Sequence, residues 1–323
     1  MNYQWGLQQM NFASAWDTVR GNAYVAVLDT GIKLGHADLT ANFKPQLSKL
    51  LTSATTFEDE LGGTGISTVH GRGTHVAGVI AANSNNSYGV TGGCWNCALM
   101  VMKISDIFNG LGTGTANVAA GITAAVDGGV QVINMSLGGY GYEDCSSTTT
   151  PLCTAISHAN IRNVVMVAAA GNNYLYRRNA PGQSNSGDVQ EPANQPSVIP
   201  VGALQPTSYG TRGYLWTETR VSDEFFSGST AGPSMQSRGL VAPGFDIFST
   251  FANGEDYNVG SFCGDNISGG TSNDGFGPCT GTSMATPHIS ALAGLMRSVN
   301  PWITSSQVGT FLRAAGDNSS TPD

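Results

Sequence analysis

Short apolar runs rich in β-branched residues recur through the first two-thirds of this 323-residue chain, each followed by a polar turn. Tyr24–Leu28, Leu99–Ile104, Val130–Ser136, Val164–Ala169 and Ser197–Ala203 read as buried strands; Thr74–Ala82, Thr115–Val126 and Thr154–Asn160 read as intervening helices. Strands that are apolar on both faces must be covered on both faces, so the alternation predicts an α/β fold: a doubly wound, mainly parallel sheet flanked by helices. In such sheets ligands gather at the carboxyl ends of the strands. Asp29, Gly138 and Asn172 stand at three of those ends.

From Gln205 to Gly281 the pattern becomes shorter and Gly-rich, as hairpins and loops require, and Leu292 to Ala315 reads as closing helices broken at Pro301. One domain over residues 1–316 is expected, with 317–323 as a frayed C-terminal tail. Before the closing helices comes Gly281-Thr282-Ser283-Met284-Ala285-Thr286-Pro287-His288, which runs into an apolar segment at helical spacing. That places Ser283 at a helix N-terminus, where unpaired N–H groups and the positive end of the dipole suit an oxygen that becomes an anion. An ordinary N-cap is the alternative role for such a serine.

Asp, Glu, Lys and Arg make up only 11% of the chain, less than half the usual share of about 25%, so Ser, Thr, Asn and Gly must build the surface. A net charge of -8 offers no basic footprint for nucleic acid or anionic membrane, and neither is expected as a partner. The six cysteines fall as close pairs, Cys94/Cys97, Cys145/Cys153 and Cys263/Cys279, and are read as three disulfides. A redox or zinc role for Cys94-Trp95-Asn96-Cys97 is the rival, weakened by the lack of a second ligand pair nearby. The disulfides predict an exported, extracellular protein whose leader and pro-segment have been removed.

Several stretches together resemble the subtilisin-like serine proteases, the subtilases. They are Val27-Leu28-Asp29-Thr30-Gly31-Ile32, Gly73-Thr74-His75-Val76-Ala77-Gly78, Ser136-Leu137-Gly138-Gly139, Ala168-Ala169-Ala170-Gly171-Asn172, Val241-Ala242-Pro243-Gly244 and Gly281-Thr282-Ser283-Met284-Ala285-Thr286-Pro287. The resemblance implies an endopeptidase for extended polypeptide, with Ser283 as nucleophile, Asp29 as the acid that orients the base, and Asn172 as oxyanion donor. It also implies that substrate lies as an added strand along Ser136, Leu137, Gly138 and Gly139, with Ala170, Gly171 and Gln190 around the pocket for the residue before the scissile bond. Gln190 would make that pocket narrower or more polar than a glycine floor; Arg177 and Arg178 read as an exposed basic turn.

The histidine of the family does not carry over. Its position, immediately before Gly73-Thr74-His75, is Arg72. Guanidinium has no acceptor lone pair and a pKa above about 12, so it cannot act as a base; an ion pair with Asp29 is expected instead. His70 is the fallback base, two residues upstream, while His75 matches a non-catalytic histidine of the motif, and His36, His158 and His288 read as structural. Two functions follow: a protease whose chemistry is strongly impaired, or a natural pseudoprotease that binds peptide or inhibitor. A proteinaceous inhibitor or pro-segment in the cleft and a monomeric state belong to the same expectation. The loop Ser84-Asn85-Asn86-Ser87-Tyr88-Gly89-Val90 is similar to the family's calcium loop, which implies structural Ca²⁺ held by Asp38, Ser84, Asn86, Tyr88 and Val90.

Overall fold

The structure, a computed structural model, describes residues 4–59, 71–105, 114–139, 143–147, 149–172, 189–206, 223–225, 229–252 and 275–316. Two short helices, α1 (Trp5–Gln9) and α2 (Phe12–Trp16), precede β1 (Tyr24–Asp29) and β2 (Lys49–Leu50). Then come α3 (Arg72–Ala81), β3 (Ala98–Lys103), α4 (Thr115–Asp127), β4 (Val132–Met135), α5 (Pro151–Ile161), β5 (Val165–Ala169) and β6 (Val198–Pro206). The chain continues through β7 (Asp223–Phe225), α6 (Pro233–Arg238), β8 (Leu240–Pro243), β9 (Ile247–Phe251), β10 (Gly275–Cys279), α7 (Thr282–Val299) and α8 (Ser305–Ala315).

The main sheet has the order β2-β3-β1-β4-β5-β6-β7, with β8 also paired to β6. Its ladders are parallel except for β7 on β6, so the expected doubly wound sheet is present. Alternation along the strands feeds two cores. Val25, Val27, Leu99, Val101, Val165 and Val167 face the layer that holds α3 and α7. Ala26, Leu28, Met100, Met102, Met166 and Ala168 face α4 and α5. Every residue of β3, β4 and β5 is buried, which explains the unbroken apolar runs.

The strand order reverses around β1, with β3 on one side and β4 on the other, and their carboxyl ends open the crevice where Asp29 and Ser136 emerge. The Gly-rich region contains an antiparallel β9/β10 ladder, as hairpins require. Near the C-terminus, Asn300 ends α7 ahead of Pro301, and a Thr304/Gln307 capping box starts α8. Disulfides join Cys94 to Cys97 and Cys145 to Cys153. Cys94 and Cys97 are fully buried and oxidised, which leaves no thiolate for zinc. Cys279 is disulfide-bonded, and Cys263 lies outside the described residues.

Candidate active site

Ser283 lies in the first turn of α7, after Gly281 at φ 142°. Four residues on, Pro287 interrupts the ladder, because its ring nitrogen has no proton to give the Ser283 carbonyl. That carbonyl is taken up by Ser136, whose Oγ donates to it at 2.7 Å, while Ser283 Oγ donates back to the Ser136 carbonyl at 2.9 Å. Behind this pair, Asn134 Nδ2 donates to Ser136 Oγ at 3.0 Å and Ser290 Oγ donates to Asn134 Oδ1 at 2.8 Å. The strand edge and the serine helix are thereby tied by a buried polar chain. Ser136→Ala should leave the Ser283 carbonyl without its donor and cost about 1–3 kcal/mol, read as a lower denaturant midpoint. An unchanged midpoint would contradict this role.

Asp29 ends β1 fully buried, and its Oδ1 accepts from Thr30 N at 2.8 Å and from Arg72 Nε at 3.0 Å. Its Oδ2 is buried and has no hydrogen-bond partner among the described residues. Arg72 therefore makes the expected ion pair with Asp29, its side chain 18% exposed.

The first turn of α3 follows Gly71, which offers no side-chain cap. Two of its N–H groups are satisfied from elsewhere in the chain. Gly73 N donates to Thr30 Oγ1 at 3.1 Å, and Thr74 N donates to Asp59 Oδ2 at 2.8 Å. The Thr30 and Thr74 hydroxyls each donate to Asp59 at 2.6 Å, and Lys33 N donates to Thr74 Oγ1 at 2.9 Å. Asp59 is thus a cap supplied in trans, joining the residue after Asp29 to the turn that carries Arg72. Burial, opposed by the hydrogen bonds from Thr30 and Thr74, raises its pKa to about 6. Sequence reading missed Asp59, which stands in a polar stretch without periodicity; Asn134 carried a signal, an amide inside an apolar strand.

Asn172 Oδ1 accepts from Thr282 N at 2.9 Å and Thr282 Oγ1 at 3.0 Å, which holds the amide beside the start of α7. Gly139 and Glu191 exchange backbone hydrogen bonds at 3.0 and 3.2 Å, and Gln190 N donates to the Ala170 carbonyl at 3.0 Å. Gln190 thereby lies between the 136–139 and 170–172 segments. The expected site residues Asp29, Arg72, Asn172, Ser283, Ser136–Gly139, Ala170, Gly171 and Gln190 all gather at the carboxyl edge of the sheet.

No described histidine reaches Ser283. His75 Nε2 pairs with the Ile247 carbonyl at 2.8 Å, His288 Nδ1 with the Met284 carbonyl at 2.9 Å, and His36 Nε2 with the Gly275 carbonyl at 3.1 Å. His158 faces Asp127 at 3.7 Å on the other layer. His70, Arg177 and Arg178 lie outside the described residues.

The 84–90 loop closes on Asp38, which is fully buried. Asp38 Oδ1 accepts from Asn86 Nδ2 at 2.6 Å and Oδ2 from Val90 N at 2.7 Å. Asn85, Ser87 and Gly89 adopt left-handed φ values of 60°, 59° and 56° at alternate positions. The Ser84 hydroxyl donates to the Ala82 carbonyl at 3.1 Å, and the Tyr88 ring packs edge-on against Phe276 at 5.7 Å. Among the described residues no group of three His, Cys, Asp or Glu side chains could hold a metal. A cation here would rest on one carboxylate plus amide and carbonyl oxygens, a set that suits Ca²⁺ once the Asn86 amide presents its oxygen.

A serine in a helix N-terminal turn, a neighbouring side-chain amide and a buried aspartate on the switch-point strand of a doubly wound sheet together have the architecture of a serine hydrolase. The chain belongs to the subtilase family, whose profile matches residues 20–321. It is 31% identical over 305 residues to a thermophilic serine proteinase of Bacillus sp. (strain AK1), covering 92% of this chain and 58% of that protein. It is 30% identical over 296 residues to thermitase of Thermoactinomyces vulgaris, covering 91% of this chain and 82% of thermitase. Among solved structures, fervidolysin of Fervidobacterium pennivorans, a keratinolytic enzyme related to subtilisin, matches with TM-score 0.73 and 28% identity over 98% of this chain and 42% of that one. A protease of Pseudoalteromonas arctica PAMC 21717 matches with TM-score 0.72 and 27% identity over 98% of this chain and 91% of that one. The chain spans about 58% of the length of several curated relatives, including subtilisin J of Geobacillus stearothermophilus.

Proposed function

We propose that this chain carries the cleft and nucleophile of a subtilisin-type serine endopeptidase for extended polypeptide, and that Arg72 strongly impairs its hydrolysis. The ion pair of Arg72 with Asp29 carries this reading. In the reaction Ser283 Oγ would attack the peptide carbonyl carbon while its proton passes to a base, and the Asn172 amide would stabilise the oxyanion. A guanidinium cannot take that proton, and it pairs with the Asp29 carboxylate that would orient an imidazole. Substrate binding along Ser136–Gly139 needs no base, so peptide recognition survives. The same observation favours a second reading, a natural pseudoprotease that holds peptide, inhibitor or pro-segment.

Titrating the purified chain with an extended peptide, and following its cleavage beside a Ser283→Ala variant, tests the proposal. Binding should be measurable and cleavage by the two proteins indistinguishable. Turnover far above the variant would overturn the role given to Arg72 and promote His70.

The disulfides support an exported, extracellular setting, and nothing in the reading requires more than a monomer with one catalytic domain over residues 1–316. Structural Ca²⁺ at Asp38, with oxygens of Ser84, Asn86, Tyr88 and Val90, belongs to the same proposal. Removing calcium with a chelator should lower Tm by about 5 °C, as loss of a ligand held at roughly a hundred times its Kd would. The response should vanish in Asp38→Asn; a Tm indifferent to chelator would remove calcium from the proposal.

A further inference from the structure

The far end of the 136–139 edge is backed by a polar network that ends in a disulfide. Gly139 exchanges backbone hydrogen bonds with Glu191, which is buried. Glu191 Oε1 accepts from Glu143 N at 3.2 Å and from Gln195 Nε2 at 3.3 Å, and Gln195 Nε2 also donates to the Glu143 carbonyl at 2.5 Å. On its other side, Glu143 Oε2 accepts from the hydroxyl of Thr150, the N-cap of α5, and Thr150 Oγ1 accepts from Cys153 N at 3.3 Å. Two residues beyond Glu143, Cys145 is bonded to Cys153. Residues 143–145 are thus clamped between the peptide edge and the first turn of α5, with the disulfide as the covalent closure.

The rest of this run adds little grip. Asp144, Ser146 and Ser147 are exposed, and the bonds from Ser146 N and Ser147 Oγ to Asp144, at 2.9 and 3.0 Å, stay within the run. Cys145 is its contact with the core beneath α5. Cutting the disulfide returns loop entropy to the run and leaves its place beside Glu191 to hydrogen bonds of small net worth. Access favours the cut at this bridge: Cys145 is only partly buried, whereas Cys94 and Cys97 are fully buried.

Resting on the peptide cleft proposed above, we propose that Cys145–Cys153 is a redox-sensitive latch on the peptide edge. Oxidised, it holds Glu143 against Glu191 and so keeps Gly139 in place for an added strand; reduced, it lets that backing go. The reductant is a dithiol. One of its thiolates attacks Cys145 Sγ and expels Cys153 as thiolate, and its second thiol then displaces Cys145 from the mixed disulfide. Two electrons pass to the bridge, each cysteine sulfur ends protonated, and the dithiol leaves as a disulfide. A chain in a reducing compartment would therefore hold peptide weakly, and oxidation on export would complete the edge.

The test is equilibrium binding of an extended peptide to the full chain before and after dithiol treatment, with the freed cysteines mapped by alkylation and mass spectrometry. Cys145 and Cys153 should be alkylated before Cys94 and Cys97, and the peptide Kd should rise roughly tenfold, as it does when the competent state falls to about a tenth of the population. Reoxidation should restore it. The double variant Cys145→Ser, Cys153→Ser should bind at the weakened level from the outset and not respond to dithiol, which separates this bridge from the other cysteines. Glu191→Ala keeps the bridge but removes its link to the edge; it should also bind weakly, with the response to dithiol lost. An unchanged Kd once Cys145 and Cys153 are reduced, or an undiminished dithiol response in either variant, would overturn the latch and leave the cleft standing. Failure of the oxidised chain to bind any extended peptide would instead overturn the cleft, and the latch with it.

Discussion

Arg72→His should raise peptide hydrolysis by several orders of magnitude, to as much as about 10⁶-fold. The scale is that of subtilisin, the namesake of this family, in which loss of the triad histidine alone costs about 2 × 10⁶ in kcat. The substitution should act on one step. It would free Asp29 Oδ1 from the guanidinium at 3.0 Å and supply an imidazole in the turn that Asp59 already fixes. Peptide affinity should change little, since the strand edge and Gln190 do not involve position 72. A serine-directed phosphonate gives a companion readout: it should label Ser283 quickly in the variant and slowly in the unmodified chain, because labelling also needs a base. If Arg72→His binds peptide normally but remains as silent as Ser283→Ala, the impaired-endopeptidase reading fails and the pseudoprotease reading stands.

Acid should destabilise the fold steeply between about pH 6.5 and pH 4. His75 and His288 are fully buried in the layer between α3, α7 and β9, and burial lowers the pKa of each to about 4. Backbone carbonyls of Ile247 and Met284 oppose the shift without cancelling it. In this window the unfolded chain takes up protons that the folded chain refuses, so stability present above the ordinary histidine pKa is lost as pH falls, by roughly 3 kcal/mol for each imidazole. Asp59 works the other way. With its pKa raised to about 6, the folded chain there holds a proton that the unfolded chain lacks, which returns roughly 3 kcal/mol on acidification. The balance is a net loss of about 3 kcal/mol, seen as a Tm that falls from pH 7 to pH 4. His288→Leu should flatten the profile, and a Tm constant across that range would refute the account.

The central strands and their helices could be read from the sequence because burial on both faces leaves unbroken apolar runs, as in Ala98–Lys103 and Val165–Ala169. Even there the pattern hid something: Lys103, at the end of β3, is 2% exposed and donates through Nζ to the carbonyls of Thr30 and Glu58. Helices α1 and α2 escaped notice because five residues each are too few to show a period. The positions of Ser283, Asn172 and Asp29 could be read because a helix start and two strand ends lie next to them in sequence. Asp59 and the Asn134–Ser136–Ser290 chain were not, because each depends on partners that only the fold brings near, as Asn134 and Ser290 show at 156 positions apart.

The borrowed cap on α3 separates two burdens that one residue often carries. The turn is anchored by Thr30 and Asp59, through the N–H groups of Gly73 and Thr74, so these caps do not depend on the side chain at position 72. Chemistry at that position can change while the scaffold stays whole. A lineage could therefore silence or restore the reaction with one substitution, without first finding a compensating change elsewhere.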